Sequence, residues 1–140
     1  MEIKINTVTT DQDYRDCLYI RNKVFIEEQN INKKLEYDDK KVNAIYIVAK
    51  INLIAIGTAR YRSTEVGMKL ERFAVLKEYR GLGVGKSLVF FLIKTLKSEK
   101  NLYLNSQKKV AGFYKKLGFK IRGDVFYEAK IPHYKMDLLS

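Results

Sequence analysis

The chain has 140 residues, enough for one domain around a single apolar core. Hydrophobic residues make up 46% and charged residues 31%, which excludes a disordered chain, and no run approaches the roughly 18 apolar residues of a membrane span. The formal net charge of +11 suggests an anionic partner (nucleic acid, an anionic membrane or a polyphosphate), but the lysines are spread along the whole chain, which favours a solvated basic surface wherever no local motif says otherwise.

In chain order, Ile3–Val8 reads as a first strand. Thr9-Thr10-Asp11 supplies helix N-cap residues, and Tyr14, Cys17, Leu18, Arg21, Val24 and Phe25 then recur at helical spacing, so a helix is predicted over Asp13–Glu28. The polar stretch Asn30–Lys41 reads as a loop. Ile45–Ala49 is a β-branched run and hence a strand, Lys50-Ile51-Asn52 a turn, and Leu53–Arg62 a returning strand with a possible bulge at Gly57. Lys69–Leu76 is another strand, with alternation placing Leu70, Arg72, Ala74 and Leu76 on one face and Glu71, Phe73 and Val75 on the other. A glycine loop follows, then a helix carrying Val84, Leu88, Phe91, Leu92 and Leu96. Leu102–Leu104 is a short strand, Val110–Leu117 a short helix stopped by Gly118, and Phe119–Ile121 and Tyr134–Leu138 the last strands. This order predicts one α/β domain of the α+β kind over residues 1–140. Cys17 is the only cysteine and no apolar leader follows Met1, so a reducing, cytoplasmic setting without membrane attachment is expected.

The strongest local signal is strand, then Arg80-Gly81-Leu82-Gly83-Val84-Gly85-Lys86, then helix. Glycines at alternate positions allow positive φ, so the loop can turn its N–H groups inward as an anion nest. The helix that starts there adds unsatisfied N–H groups and the positive end of its dipole. Arg80 and Lys86 add full charges. The result is a pyrophosphate cradle. It is not a Walker loop, because Arg80 stands where the first glycine is needed, and it lacks the glycine spacing of a dinucleotide fingerprint.

Arg-x-x-Gly-x-Gly after the strand ending Phe73-Ala74-Val75-Leu76-Lys77-Glu78-Tyr79 resembles the coenzyme A loop of the GNAT acyltransferase superfamily. Ile20–Gln29, Leu35–Asp38 and Ile131–Met136 resemble segments of its small bacterial ElaA/YjcF-like branch, and Gly112–Phe119 resembles the superfamily's second cofactor motif. The resemblance implies a central mixed, mostly antiparallel twisted sheet flanked by helices. It implies acetyl-CoA as donor and a primary amine as acceptor, by direct transfer. Backbone groups of Phe73, Ala74 and Val75 would pair with the pantetheine arm. The loop Arg80, Gly81, Leu82, Gly83, Val84, Gly85 and Lys86 would hold the pyrophosphate, and Asn105 and Tyr114 would stand near the thioester. Coenzyme A carries about four negative charges, so it accounts for a local basic site and not for the whole +11.

Tyr114 resembles the tyrosine near the thioester sulfur and is the candidate general acid for the leaving thiolate. Glu71 and Glu28 are the candidate bases. His133, the single histidine, beside Pro132, fits a structural hydrogen bond, and Asn105 stands where relatives often carry histidine. Cys17 lies on the apolar stripe of the first helix, against a ping-pong nucleophile, and no Cys/His cluster suggests a metal. Glu27, Glu28, Glu36, Asp38 and Asp39 could form an acidic lip for a cationic amine, and a homodimer is the default assembly. The competing readings are a coenzyme A-binding module without catalysis and a basic nucleic-acid-binding protein, the latter lacking any recognisable motif.

Overall fold

The computed structural model describes residues 2–33 and 42–138. β1 (Lys4–Thr7) leads into α1 (Asp11–Arg21), which a π-helical turn (Asn22–Glu28) continues. The expected single helix is therefore two segments. The start is set by Thr10, whose Oγ1 accepts a hydrogen bond from the Asp13 N–H at 3.1 Å. Past Arg21 the turn widens, with the Gln29 N–H donating five residues back to Val24 O at 3.1 Å. The wider turn lets the adjacent Val24 and Phe25 both face inward.

β2 (Ile45–Ile51) and β3 (Ile54–Thr64) form a hairpin whose turn sits on Asn52 and Leu53, both at positive φ (50° and 70°), one residue beyond the expected turn. Ala49 pairs with Gly57 and Lys50 with Ala55, so Ile56 is the extra residue of a bulge beside Gly57. β4 (Gly67–Val75) completes the meander; then come α2 (Val84–Thr95), β5 (Leu102–Gln107), α3 (Ala111–Lys116), β6 (Phe119–Glu128) and β7 (Ile131–Leu138). β6 and β7 run longer than expected because residues 122–128 and 131–133 show no clean alternation of apolar and polar residues.

The seven strands form one sheet in the order β1-β2-β3-β4-β5-β7-β6, antiparallel except for β4 against β5. α2 and α3 cover one face, packing Leu88, Leu92 and Tyr114 over Ile47, Ile56, Leu70 and Met136. α1 and the π-helical turn cover the other through Ile20, Val24 and Phe25 against Ala74, and Cys17 beside Tyr46 and Val48. The described residues contain no helix long and apolar enough to cross a membrane.

Candidate active site

The site begins where the sheet fails to stay closed. β4 and β5 pair only at Met68–Leu102 and Lys69–Tyr103, then part. A cleft of about 1050 Å³ opens beyond that point, walled by β4, the glycine loop, β5, α3 and the β6–β7 turn. Parting strands expose N–H and C=O groups that an extended ligand can pair with.

A bulge in β4 decides what faces this cleft. Arg60 pairs with Glu71 and Thr58 with Ala74, so Arg72 and Phe73 stand opposite Ala59 alone, and Arg72 has φ 58°. The pleat changes phase there. Leu70, Phe73 and Val75 join the core under α2, whereas Ala74 packs against α1. Glu71 goes the same way as Ala74, toward Arg60 and through it Tyr46. The expected alternation, with Glu71 on the face of Phe73 and Val75, is thus corrected: a period of two holds only in an unbroken ladder.

Glu71 is buried among cations. Arg60 Nε donates to its Oε2 at 2.6 Å and Arg62 Nε at 2.9 Å, and Lys69 Nζ lies 3.3 Å from Oε1. Burial alone would raise its proton affinity, but Arg60, Lys69 and Arg62 outweigh that and hold the carboxyl below the usual range. Glu28 is likewise engaged. Both terminal guanidinium nitrogens of Arg80 donate to it, at 2.6 and 2.7 Å, and Arg80 Nε donates to Val75 O at 3.0 Å. The Arg80 hydrogen bonds hold Glu28 below the carboxylate range as well. Arg80 therefore ties β4, the glycine loop and the π-helical turn together, and its charge is shared with Glu28 instead of standing free over the loop.

The loop itself has the conformation its glycines allow. Gly81 and Gly83 adopt φ 82° and 83°, and a Cβ at either would meet no atom within 4 Å, so the space before the loop is open. Gly83 caps α2, and the first helical bond runs from the Ser87 N–H to Gly83 O at 3.0 Å. The N–H groups of Val84, Gly85 and Lys86 are left for another acceptor. Val84 itself is buried, Leu82 is exposed, and the exposed Lys86 lies with Nζ 5.7 Å from the Phe90 ring centroid. At Gly85 a Cβ would sit 3.5 Å from Phe113, so α3 packs against the start of α2 there.

Tyr114 lines the same cleft, its ring held edge-on by Phe73, Phe113 and Phe119 at centroid distances of 5.8, 5.0 and 6.0 Å. Burial pushes its phenol well above the ordinary range. Asn105, at the β5 wall, donates from Nδ2 to Glu128 Oε1 at 3.2 Å. Glu128 lies 3.9 Å from His133 Nε2, and His133 Nδ1–H donates to Ile131 O at 2.7 Å. Across the mouth, Gln107 Nε2 donates to Gln29 Oε1 at 2.9 Å. Glu128, Gln29 and Gln107 were not among the expected site residues. Gln29 and Gln107 are brought together across 78 positions of sequence, and each of the three is an ordinary polar residue in its own segment. Cys17 is fully buried on the inner face of α1, and burial pushes its thiol up to about 11, which removes it as a nucleophile. Of the expected acidic lip, Glu36, Asp38 and Asp39 lie outside the described residues.

This arrangement can take an extended, thioester-bearing chain along β4, anchor an anion at the loop, and present a phenol to a leaving group. The chain also has relatives. The family profile described as the acetyltransferase (GNAT) domain matches residues 9–140. The uncharacterized protein YyaT of Bacillus subtilis (strain 168) is 38% identical over 140 residues, spanning 96% of this chain and 94% of its own. The uncharacterized N-acetyltransferase YjcF of the same organism is 33% identical over 129 residues, with 90% and 92% covered. The crystal structure of Escherichia coli ElaA superposes with a TM-score of 0.85 at 23% identity over 99% of this chain and all of that one, a likeness of fold.

Proposed function

Because the chain belongs to the GNAT acetyltransferase family, an acyl-CoA-dependent N-acetyltransferase family, we propose that it moves an acetyl group from acetyl-CoA directly to a primary amine. The observation that carries this reading is the cleft between β4 and β5, which runs from the open glycine nest to Tyr114. The pantetheine arm would pair with the backbone of Phe73, Ala74 and Val75 as an added strand. N–H groups of the segment Gly81–Lys86 would take the pyrophosphate. Lys86 would add the nearest free charge, while Arg80 keeps the loop in place through Glu28.

Attack by the amine expels a thiolate. Tyr114 stays protonated because burial disfavours its anion, so it can donate to sulfur throughout. The same dry surroundings raise the proton affinity of the thiolate as it forms, which lets a weakly acidic phenol serve. Tyr114 is thus the proposed general acid.

The test is thiol release from acetyl-CoA across a panel of amines, with coenzyme A binding measured separately. An amine-dependent release is expected, and Tyr114→Phe should lower kcat roughly a hundredfold while binding is retained. Binding without amine-stimulated release would replace this reading with a coenzyme A-binding module. An unchanged rate in Tyr114→Phe would remove the tyrosine from the mechanism.

A further inference from the structure

The amine arrives as an ammonium ion and must lose a proton before it can attack. Neither Glu71 nor Glu28 is suited to accept it, since each is held by cations that lower its proton affinity. A third group in the cleft has a carboxylate, not a cation, beside it. His133 is the only histidine of the chain, its side chain is 10% exposed, and it lines the cleft that holds Tyr114. Ile131 O is a carbonyl and can only accept, so the 2.7 Å contact requires the proton on Nδ1. The neutral ring therefore carries its lone pair on Nε2. On that side lies Glu128 Oε2, at 3.9 Å, too far to hydrogen-bond a neutral ring but close enough to stabilise a charged one.

The surrounding fold holds this geometry. The β6–β7 turn rests on Ala129 and Lys130, both at positive φ (49° and 65°), which sets Glu128 directly opposite Ile131. Phe126 stacks on the imidazole with centroids 5.9 Å apart, and Asn105 from β5 holds the other carboxylate oxygen of Glu128 at 3.2 Å. Among the other charged groups of the cleft, Lys109 projects from the turn after β5, Glu28 and Arg80 are paired with each other, and Glu71 is paired with cations of β3 and β4.

We infer that His133 Nε2 is the general base of the acetyl transfer, with Glu128 and Asn105 as the residues that position and charge-balance it. This rests on the acetyltransferase reading above. The ammonium gives one proton to Nε2, and the freed nitrogen lone pair forms the C–N bond to the thioester carbonyl. The C–S bond then breaks; the attacking nitrogen gives up its second proton and sulfur gains one. The imidazolium, paired with Glu128, releases its proton to solvent past that carboxylate, whose side chain is 45% exposed. The balance is ammonium plus thioester to amide, thiol and one proton.

The experiment measures kcat/KM for acetyl transfer against pH in wild type, His133→Gln and Glu128→Gln, with coenzyme A binding as control. Wild type should show an acid limb. His133→Gln should lose about a hundredfold or more at neutral pH, and its rate should instead climb with pH over the range where the amine itself deprotonates, so that the deficit narrows. Glu128→Gln should move the limb to lower pH, because the imidazolium loses its counter-charge. Coenzyme A binding should be unchanged in both. Glu128 is exposed, so that variant decides the matter even where His133→Gln folds poorly. Wild-type turnover with an unchanged limb in Glu128→Gln, or a His133→Gln rate within twofold of wild type, would overturn the inference while leaving the acetyltransferase reading intact. Wild-type protein that releases no thiol with any amine would overturn both.

Discussion

Glu71 is a carboxylate of the proposed active-site cleft whose contacts are those of a structural ion pair. Its side chain is 6% exposed and lies within 3.3 Å of Arg60, Arg62 and Lys69 nitrogens. Removing the charge would leave those cations buried without it, so Glu71→Gln should destabilise the fold by about 3–5 kcal/mol in denaturant titrations, far beyond the effect of breaking an exposed pair. A variant with wild-type stability would show that the surrounding cations are solvated or otherwise matched. The sequence contained Glu71 and its neighbours in plain view, yet their partnership needs β3 and β4 in register, and the bulge at Arg72 decides which side they meet on. Tyr114 was easier to read, because Gly112–Phe119 is a local motif and its aromatic clamp is built partly from the adjoining Phe113 and Phe119.

Elements with strong local patterns were legible and irregular ones were not. α2 followed from its apolar stripe and the glycines before it. The π-helical turn did not, since a widened turn keeps nearly the same apolar spacing as an α-helix. The β2–β3 turn shows a local choice at odds with its conformation. Asn52-Leu53 occupies a two-residue turn with both φ positive, where Asn-Gly is the favoured pair, and Leu53 is 93% exposed. Leu53→Gly removes a left-handed strain of about 1–2 kcal/mol against a chain-entropy cost of about 0.5–1 kcal/mol, so the melting temperature should rise by about 2–4 °C in calorimetry. A fall would mean that Leu53 packs in solution.

At the scale of the molecule, acid stability follows from the depressed carboxylates. Asp13 is lowered by its hydrogen bond from Lys50, Glu28 by Arg80, and Glu71 by Arg60, Lys69 and Arg62 against the opposing effect of burial. Each binds its proton less readily folded than unfolded. Their contributions are therefore complete above the unfolded carboxylate values of about 3.9–4.3 and are lost as pH falls through the lower folded ones. Urea midpoints should stay level from neutrality to about pH 5 and then drop steeply, steepened by self-repulsion in a chain already at +11. A midpoint that began to fall near pH 6.5 would point to other titrating groups.

By itself the amino-acid sequence determined the element order and the left-handed glycine loop, because each depends on residues within one turn or one strand of one another. The mixed, mostly antiparallel sheet and the tyrosine motif came from resemblance, not from residue spacing, and the open parallel pair β4–β5 only from the structure. Only the tertiary structure decided which face Glu71 takes, that Arg80 is tied to Glu28, and that Glu128 and Asn105 meet His133. Those outcomes depend on a register shift, a hairpin of two left-handed residues and pairings between distant strands, and none of these leaves a periodic trace in the chain.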